Sequence, residues 1–234
     1  MSEGRPPATL TVAALAVWAS LPGGAGAVDA MRGADVWRSQ CAMCHEVGPE
    51  AEHWVGPHLN DILGRPLGGL EDFTGYSGGL VLMGIDGAVW DAALLRDFLH
   101  EPYALLAGTK MRYGGLRAAE DLDDLMAWLV PASRGKLPPV EGFRLDAAVL
   151  SREGDLEYGA HLAAECTTCH RRDGGADGIP SITGWPEGVF VTVMHAYRAG
   201  VRPNVTMQTI TKRLGEEEIA ALAAYFATLE RPLN

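Results

Sequence analysis

Basic residues are scarce in this 234-residue sequence. Lysine and arginine together number 19, against 30 aspartate and glutamate residues, and the formal net charge is -11. Because proteins hold a phosphate backbone with basic side chains, this imbalance argues against nucleic acid as a partner. An anionic surface suits a soluble protein, or a partner that offers a basic patch.

Long hydrophobic runs are scarce as well. The apolar stretch at 8–21 is shorter than the about 20 residues that a membrane-spanning helix needs. Arg5 precedes it, and helix-breaking residues and a small-x-small site at 25–27 follow it, so residues 1–27 are predicted to be an export signal. We therefore expect a periplasmic protein with no stable membrane insertion after cleavage. The alternative is that the segment remains as an uncleaved anchor.

Cysteine occurs at four positions only, and these form two pairs. The pairs are Cys41-Ala42-Met43-Cys44-His45 and Cys166-Thr167-Thr168-Cys169-His170. Both match C-x-x-C-H, the attachment signature of haem c. Two thiols on one helical turn reach the two vinyl groups of one porphyrin, and the adjoining histidine places an imidazole nitrogen on the iron. The sequence thus predicts two covalent haem c groups, with His45 and His170 as iron ligands.

Three other interpretations of the cysteine pairs are weaker. A structural disulfide in an exported protein gives no reason for a histidine at the same place twice. A thioredoxin-like redox motif requires a preceding strand and a mixed α/β pattern, and neither is evident. Zinc is compatible with the composition, but the two pairs lie far apart in the chain. Since haem attachment uses all four cysteines, no thiol remains for nucleophilic or redox chemistry.

The pattern of helices and breakers predicts an all-α chain with two units, residues 28–130 and 153–234, joined by an extended linker at 131–152 that is rich in proline and glycine. Helices are expected at about 33–45, 91–100, 120–129, 155–170, 188–199 and 216–229. Pro131 is expected to end the third helix, and residues 53–87 are expected to form glycine-rich loops. The repeated order of helix, motif, loop and closing helix indicates two copies of one design.

The first unit resembles a class I cytochrome c of the mitochondrial and bacterial c2 type. The resemblance rests on Gly33, Trp37, Gly56-Pro57, Leu59, Leu63-Gly64-Arg65, Phe73, Tyr76-Ser77, Trp90, Pro102 and Gly108-Thr109-Lys110-Met111. It implies that Met111 is the sixth iron ligand, and a thioether is a soft ligand suited to haem iron. Met126 and Met83 fit core or loop roles better.

The same resemblance implies roles for four further residues. The carbonyl of Pro57 should accept a hydrogen bond from the second ring nitrogen of His45 and so fix its tautomer. Arg65, Tyr76 and Trp90 should hydrogen-bond the haem propionates, although Trp90 can also be explained by packing alone. On the first helix, Gly33 and Trp37 are expected to contact Leu125 and Trp128 of the closing helix.

The second unit resembles the short domains of c4-type dihaem cytochromes and, more closely, the cytochrome subunit of flavocytochrome c sulfide dehydrogenase. The residues that carry this resemblance are Gly178-Ile179-Pro180, Ile182, Gly184, Phe190, Met194, Ala196-Tyr197, Gly200, Arg202-Pro203, Met207, Glu217-Glu218-Ile219, Leu222 and Tyr225-Phe226. It implies Met207 as the sixth ligand and Pro180 as the support for His170. Met194 is the rival methionine, and His161 or His195 would give a bis-histidine haem.

The expected fold is two tandem class I cytochrome c domains, each wrapped around one covalent haem c. With histidine and methionine on each iron, neither has an open coordination position, and electron transfer is favoured over catalysis. The resemblance implies a cytochrome subunit that accepts electrons from an FAD-containing sulfide dehydrogenase and passes them to other cytochromes or an oxidase. The alternative is a free periplasmic shuttle between a dehydrogenase or bc1-type complex and a terminal oxidase.

Overall fold

The computed structural model describes Met1 and residues 28–106, 108–172 and 179–230, so the predicted export signal lies outside the described residues. Within these residues the chain forms ten helices. They are α1 Ala30–Gln40, α2 Gly78–Ile85, α3 Ala92–His100, α4 Pro102–Leu105, α5 Ala119–Ser133, α6 Ala147–Leu150, α7 Leu156–Cys166, α8 Glu187–Arg198, α9 Val205–Thr211 and α10 Glu216–Thr228. The described part contains no strand, only an isolated bridge between Pro66 and Val89. The helical fold is therefore confirmed.

The first cluster of buried side chains forms where α1 crosses α5. Asp29 begins α1 by accepting hydrogen bonds from the amides of the first turn. A Cβ on Gly33 would lie 2.0 Å from the carbonyl oxygen of Asp124, and Trp37 packs on Trp128 with ring centroids 5.2 Å apart. The expected contacts of Gly33 and Trp37 with Trp128 are thus confirmed. The small residue lets the two backbones approach closely.

The second cluster repeats this crossing with α7 and α10. Asp155 accepts a hydrogen bond from the amide of Tyr158 and so begins α7. Gly159 is the counterpart of Gly33 in this crossing, because a Cβ on Gly159 would lie 2.0 Å from the carbonyl oxygen of Ala221. Helix α8 completes this cluster with an almost wholly buried face that includes Phe190.

Three expectations about the elements were wrong. Pro131 does not end its helix, because α5 continues to Ser133, whose carbonyl accepts a hydrogen bond from the amide of Asp61. Residues 53–87 are not all loop, since they contain α2. The segment 131–152 is not simply extended, because it includes the end of α5 and the short α6.

The segment between α5 and α6 lies against the first cysteine motif. The indole of Trp37 donates to the carbonyl of Val140, at 3.3 Å. A Cβ on Gly142 would lie 2.2 Å from the carbonyl oxygen of Ala42, and Arg144 donates to that same carbonyl at 3.0 Å. These contacts fix the path of the connecting chain. No helix in the described ranges combines the length and the apolarity that a bilayer crossing requires.

Candidate haem-binding sites

The first cysteine motif begins where α1 ends. Cys41 is the C-terminal cap, and its carbonyl accepts hydrogen bonds from the amides of Cys44 and His45, both at 3.0 Å. The backbone therefore makes one tight turn through the motif. That turn brings both thiols and the imidazole to the same end of the helix.

The second motif has the same local geometry. Helix α7 ends at Cys166, whose carbonyl accepts from the amides of Cys169 and His170, at 3.3 and 2.9 Å. No disulfide joins any of the four cysteines. The repetition extends from sequence spacing to backbone hydrogen bonding.

Each motif histidine meets the carbonyl of a proline in the following loop. Nδ1 of His45 lies 2.8 Å from the oxygen of Pro57, and Nδ1 of His170 lies 2.7 Å from the oxygen of Pro180. Because a carbonyl can only accept, Nδ1 carries the hydrogen in both rings and Nε2 keeps its lone pair. Burial also lowers the pKa of both histidines, which favours the neutral form that binds a metal.

A glycine shapes the space around the first imidazole. A Cβ on Gly56 would lie 2.2 Å from Cε1 of His45, and the amide of Gly56 donates to the carbonyl of Cys44 at 2.8 Å. Only a residue without a side chain fits between this loop and the ring. The glycine therefore positions the ring as directly as the proline carbonyl does.

The donor set at the first motif fits a thioether-linked haem. Burial raises the pKa of Cys41 to about 12 and that of Cys44 to about 11, and the charge of Arg202 opposes the rise at both. Neutral thiols beside a neutral imidazole suit thioether formation and iron ligation better than they suit thiolate chemistry. The second motif fits in the same way, since burial raises the pKa of Cys166.

The two candidate methionine ligands lie against different clusters. Met111 is half-buried against the cluster that contains Cys41, and its amide donates to the hydroxyl of Thr109 at 3.2 Å. Met207 is half-buried against the other cluster, on α9, and its amide donates to the side chain of Asn204 at 2.9 Å. Their binding to iron stays a prediction.

The three predicted propionate contacts lie near one another. The guanidinium of Arg65 donates to the carbonyls of His58 and Asn60, at 3.1 to 3.2 Å. Its backbone carbonyl accepts from the amide of Trp90, which is buried, at 2.9 Å. Burial raises the pKa of Tyr76, and the nearby charge of Arg65 opposes that rise. Their contact with propionates stays a prediction.

The rival ligands in the second half have other surroundings. Met194 is buried in the middle of α8, and His161 is exposed on α7. Nδ1 of His195 lies 2.9 Å from the guanidinium of Arg198, and its Nε2 lies 3.2 Å from a carboxylate oxygen of Glu216. Both ring nitrogens of His195 thus face polar partners, which disfavours this residue as an iron ligand.

Sequence reasoning missed the residues that join the two halves. Met43, between the first pair of cysteines, is 1% exposed and packs in the second cluster. Arg202 donates to the sulfur of Met43 at 3.3 Å and to the hydroxyl of Tyr197 at 2.9 Å. Arg144 pairs with Glu46 at 2.5 Å. No local pattern marks the contact of Arg202 with Met43 or that of Arg144 with Glu46, because the partners lie 159 and 98 positions apart in the chain.

Parts of this chain are similar to known cytochromes. The sequence model of the family described as "Cytochrome C oxidase, cbb3-type, subunit III" matches residues 156–226. A cytochrome c2 of Agrobacterium tumefaciens is 40% identical over 97 residues, which are 42% of this chain and 86% of that protein. A cytochrome c2 of Rhodomicrobium vannielii is 38% identical over 118 residues, 50% of this chain and 89% of that protein. A cytochrome c of Stellaria longipes is 33% identical over 106 residues, 45% of this chain and 94% of that protein.

The helical fold and the cysteine and histidine sites define a c-type cytochrome. The chain belongs to the cytochrome c family. Its cofactor is haem c and its function is electron transfer. The haem supplies the one-electron redox change, and the residues described above would hold it.

Proposed function

We propose that this protein is a dihaem electron-transfer protein with one haem c at each motif and a separate cytochrome c domain around each. The observation that carries the proposal is the repeated histidine geometry, with Nδ1 held 2.8 Å from Pro57 in one half and 2.7 Å from Pro180 in the other. A second haem would explain why the second half has the same arrangement as the first. The number of haems is measured by the pyridine haemochrome assay on purified protein, and a ratio of one haem per chain contradicts the proposal.

In the proposal, Met111 and Met207 would each supply the sixth iron ligand, beside His45 and His170. Both haems would then be low-spin and would bind no added small ligand. Met111→Ala and Met207→Ala should each open one haem, which becomes high-spin and binds added ligand while the other haem keeps its spectrum.

Matched controls separate ligation from packing. Met126 packs against the first cluster and Met194 is buried in the second, so each is a core counterpart of a proposed ligand. Met126→Ala and Met194→Ala should lower thermal stability and leave both haems low-spin. An unchanged visible spectrum in Met207→Ala would contradict the assignment in the second half.

We further propose a flavoprotein sulfide dehydrogenase as the electron donor. The resemblance of residues 190–207 to the cytochrome subunit of that complex supports it. Purification from native extract tests the pairing: a stoichiometric FAD-containing chain should accompany the cytochrome. Isolation of the cytochrome as a monomer would contradict it.

The second candidate is a free shuttle between a dehydrogenase or bc1-type complex and a terminal oxidase. The cytochrome c2 relatives and the match to the oxidase subunit family favour it. Either role places the protein in the periplasm after removal of residues 1–27. Sequencing of the N-terminus of the protein from the periplasmic fraction tests that location.

A further inference from the structure

Arg202 lies where the second half of the chain meets the first cysteine motif. Its guanidinium donates to the sulfur of Met43 at 3.3 Å, although the two residues are separated by 159 positions. The guanidinium carbon also lies 5.9 Å from the ring centroid of Tyr113 and 5.2 Å from that of Tyr197. Both distances are within the range of a cation–π interaction.

Residues of the second half also hold Arg202 in place. Its Nε donates to the hydroxyl of Tyr197 at 2.9 Å, and its carbonyl accepts from the side chain of Gln208 at 2.9 Å. Gln208 follows Met207 on α9. The residue thus connects the neighbourhood of the second proposed methionine ligand to the first cysteine pair.

The positive charge of Arg202 has no carboxylate to balance it among the residues that the structure describes: its partners are a thioether, a phenol and aromatic faces. Other cations near the two motifs differ. Arg144 is paired with Glu46, and Arg171 and Arg172 are exposed, so water and salt screen them. The charge of Arg202 lies beside the first motif, because Met43, whose sulfur it contacts, stands between the two cysteines of that motif.

An uncompensated cation beside a haem favours the reduced iron, whose net charge is lower by one, and so raises the reduction potential. We propose that Arg202 is a positioning residue that locks the second half onto the first haem motif through Met43, and that its charge raises the reduction potential of the first haem above that of the second. One electron then moves from the second site to the first. One iron is oxidised as the other is reduced, with no bond or proton to balance.

This inference rests on the proposed dihaem function, so the haem content is measured first. A ratio of one haem per chain overturns the proposed function itself. With two haems bound, a spectroscopic redox titration of the wild-type protein should resolve two waves, one for each haem. The wave that changes in Met111→Ala belongs to the first haem. A lower potential at the first haem than at the second would overturn the inference without the use of any Arg202 variant.

Substitutions then separate the charge from the contact. Arg202→Met removes the charge and should lower the first potential, with at least a threefold change in the equilibrium between the haems, or about 28 mV at 59 mV per tenfold change for one electron. Arg202→Lys should restore more than half of this shift. Met43→Leu keeps the charge of Arg202 and should leave both reduction potentials unchanged. Arg213→Met removes an exposed charge from the same half and is the matched control.

Two results would refute the role of the charge. One is a dihaem Arg202→Met protein whose two potentials equal those of the wild type. The other is an equal shift in Met43→Leu and Arg202→Met, because the effect would then belong to packing. If Arg202→Met does not take up haem, Arg202→Gln is the substitute, with the same expected shift.

Discussion

Replacement of Gly33 by alanine should destabilise the first half of the protein. The new Cβ would lie 2.0 Å from the carbonyl oxygen of Asp124 and 2.8 Å from Cβ of Trp128, both on α5. These are main-chain and stem atoms that no rotamer change can move. Helices α1 and α5 would have to move apart, which opens the contact between Trp37 and Trp128.

The magnitude follows from two opposing effects. Overpacking of this kind costs about 1–3 kcal/mol, and a contact with backbone lies at the upper end of that range. Alanine recovers about 1 kcal/mol of helix propensity relative to glycine. The net loss is about 2 kcal/mol, which lowers the melting temperature of a chain of this length by roughly 4–8 °C.

Thermal unfolding followed by circular dichroism measures the effect. Gly188→Ala is the matched control, because α8 leaves open space around that glycine and the substitution should stabilise by about 0.5–1 kcal/mol. Gly159→Ala should lower the melting temperature like Gly33→Ala, since its new Cβ would lie 2.0 Å from the carbonyl oxygen of Ala221. A melting temperature at or above that of the wild type in Gly33→Ala would show that the helix crossing is not as tight as described.

Two further predictions concern histidines. Gly56→Ala should displace the His45 ring from its bonded position, because the added Cβ overlaps Cε1 at 2.2 Å, and one haem should then lose its low-spin spectrum; a spectrum identical to the wild type would be the contrary result. Below about pH 6.5, the second half should lose stability, because burial and then the charge of Arg198 lower the pKa of His195, so the unfolded chain binds the proton more readily. Glu216, whose pKa is lowered first by its hydrogen bond from Arg198, adds to the loss below about pH 4.5. Denaturant unfolding at several pH values should show a smaller loss between about pH 6.5 and 5 in His195→Gln, and equal losses in both proteins would count against this explanation.

Local sequence signals predicted that the motif-bearing and closing helices exist, but not where the motif-bearing helices end. Helices α1 and α7 were expected to run through the cysteine motifs to about residues 45 and 170, and they end at Gln40 and Cys166, before the turns that the motifs form. The expected range of α10, 216–229, agrees with the observed Glu216–Thr228 to within one residue. Where tertiary contacts override local preference, the prediction failed. Pro131 costs α5 one amide donor in its last turn, but that turn is held because Ala132 and Ser133 are buried.

Helix α9 was not expected from the sequence. Its sequence, Val205–Thr211, is rich in β-branched residues of low helix propensity, so its local preference does not predict a helix. The signal that was available is Asn204, whose side chain accepts from the amide of Met207 and begins the helix. This helix holds Met207 against the second cluster, which a loop would do less firmly.

Glycine was the least reliable signal, because a glycine in a loop and a glycine that permits close packing of two backbones look the same in a sequence. Gly33 was predicted to permit close packing, and it does. Gly84 was taken for a loop residue, but a Cβ there would lie 1.9 Å from the carbonyl oxygen of Leu67, so it marks a helix pressed against another segment. Gly142 was assigned to a linker, yet it lies against Ala42 inside the first motif. Only the position of the opposing backbone distinguishes a loop glycine from a packed one, and that backbone belongs to a segment that is distant in the sequence, from Leu67 for Gly84 to Ala42 for Gly142.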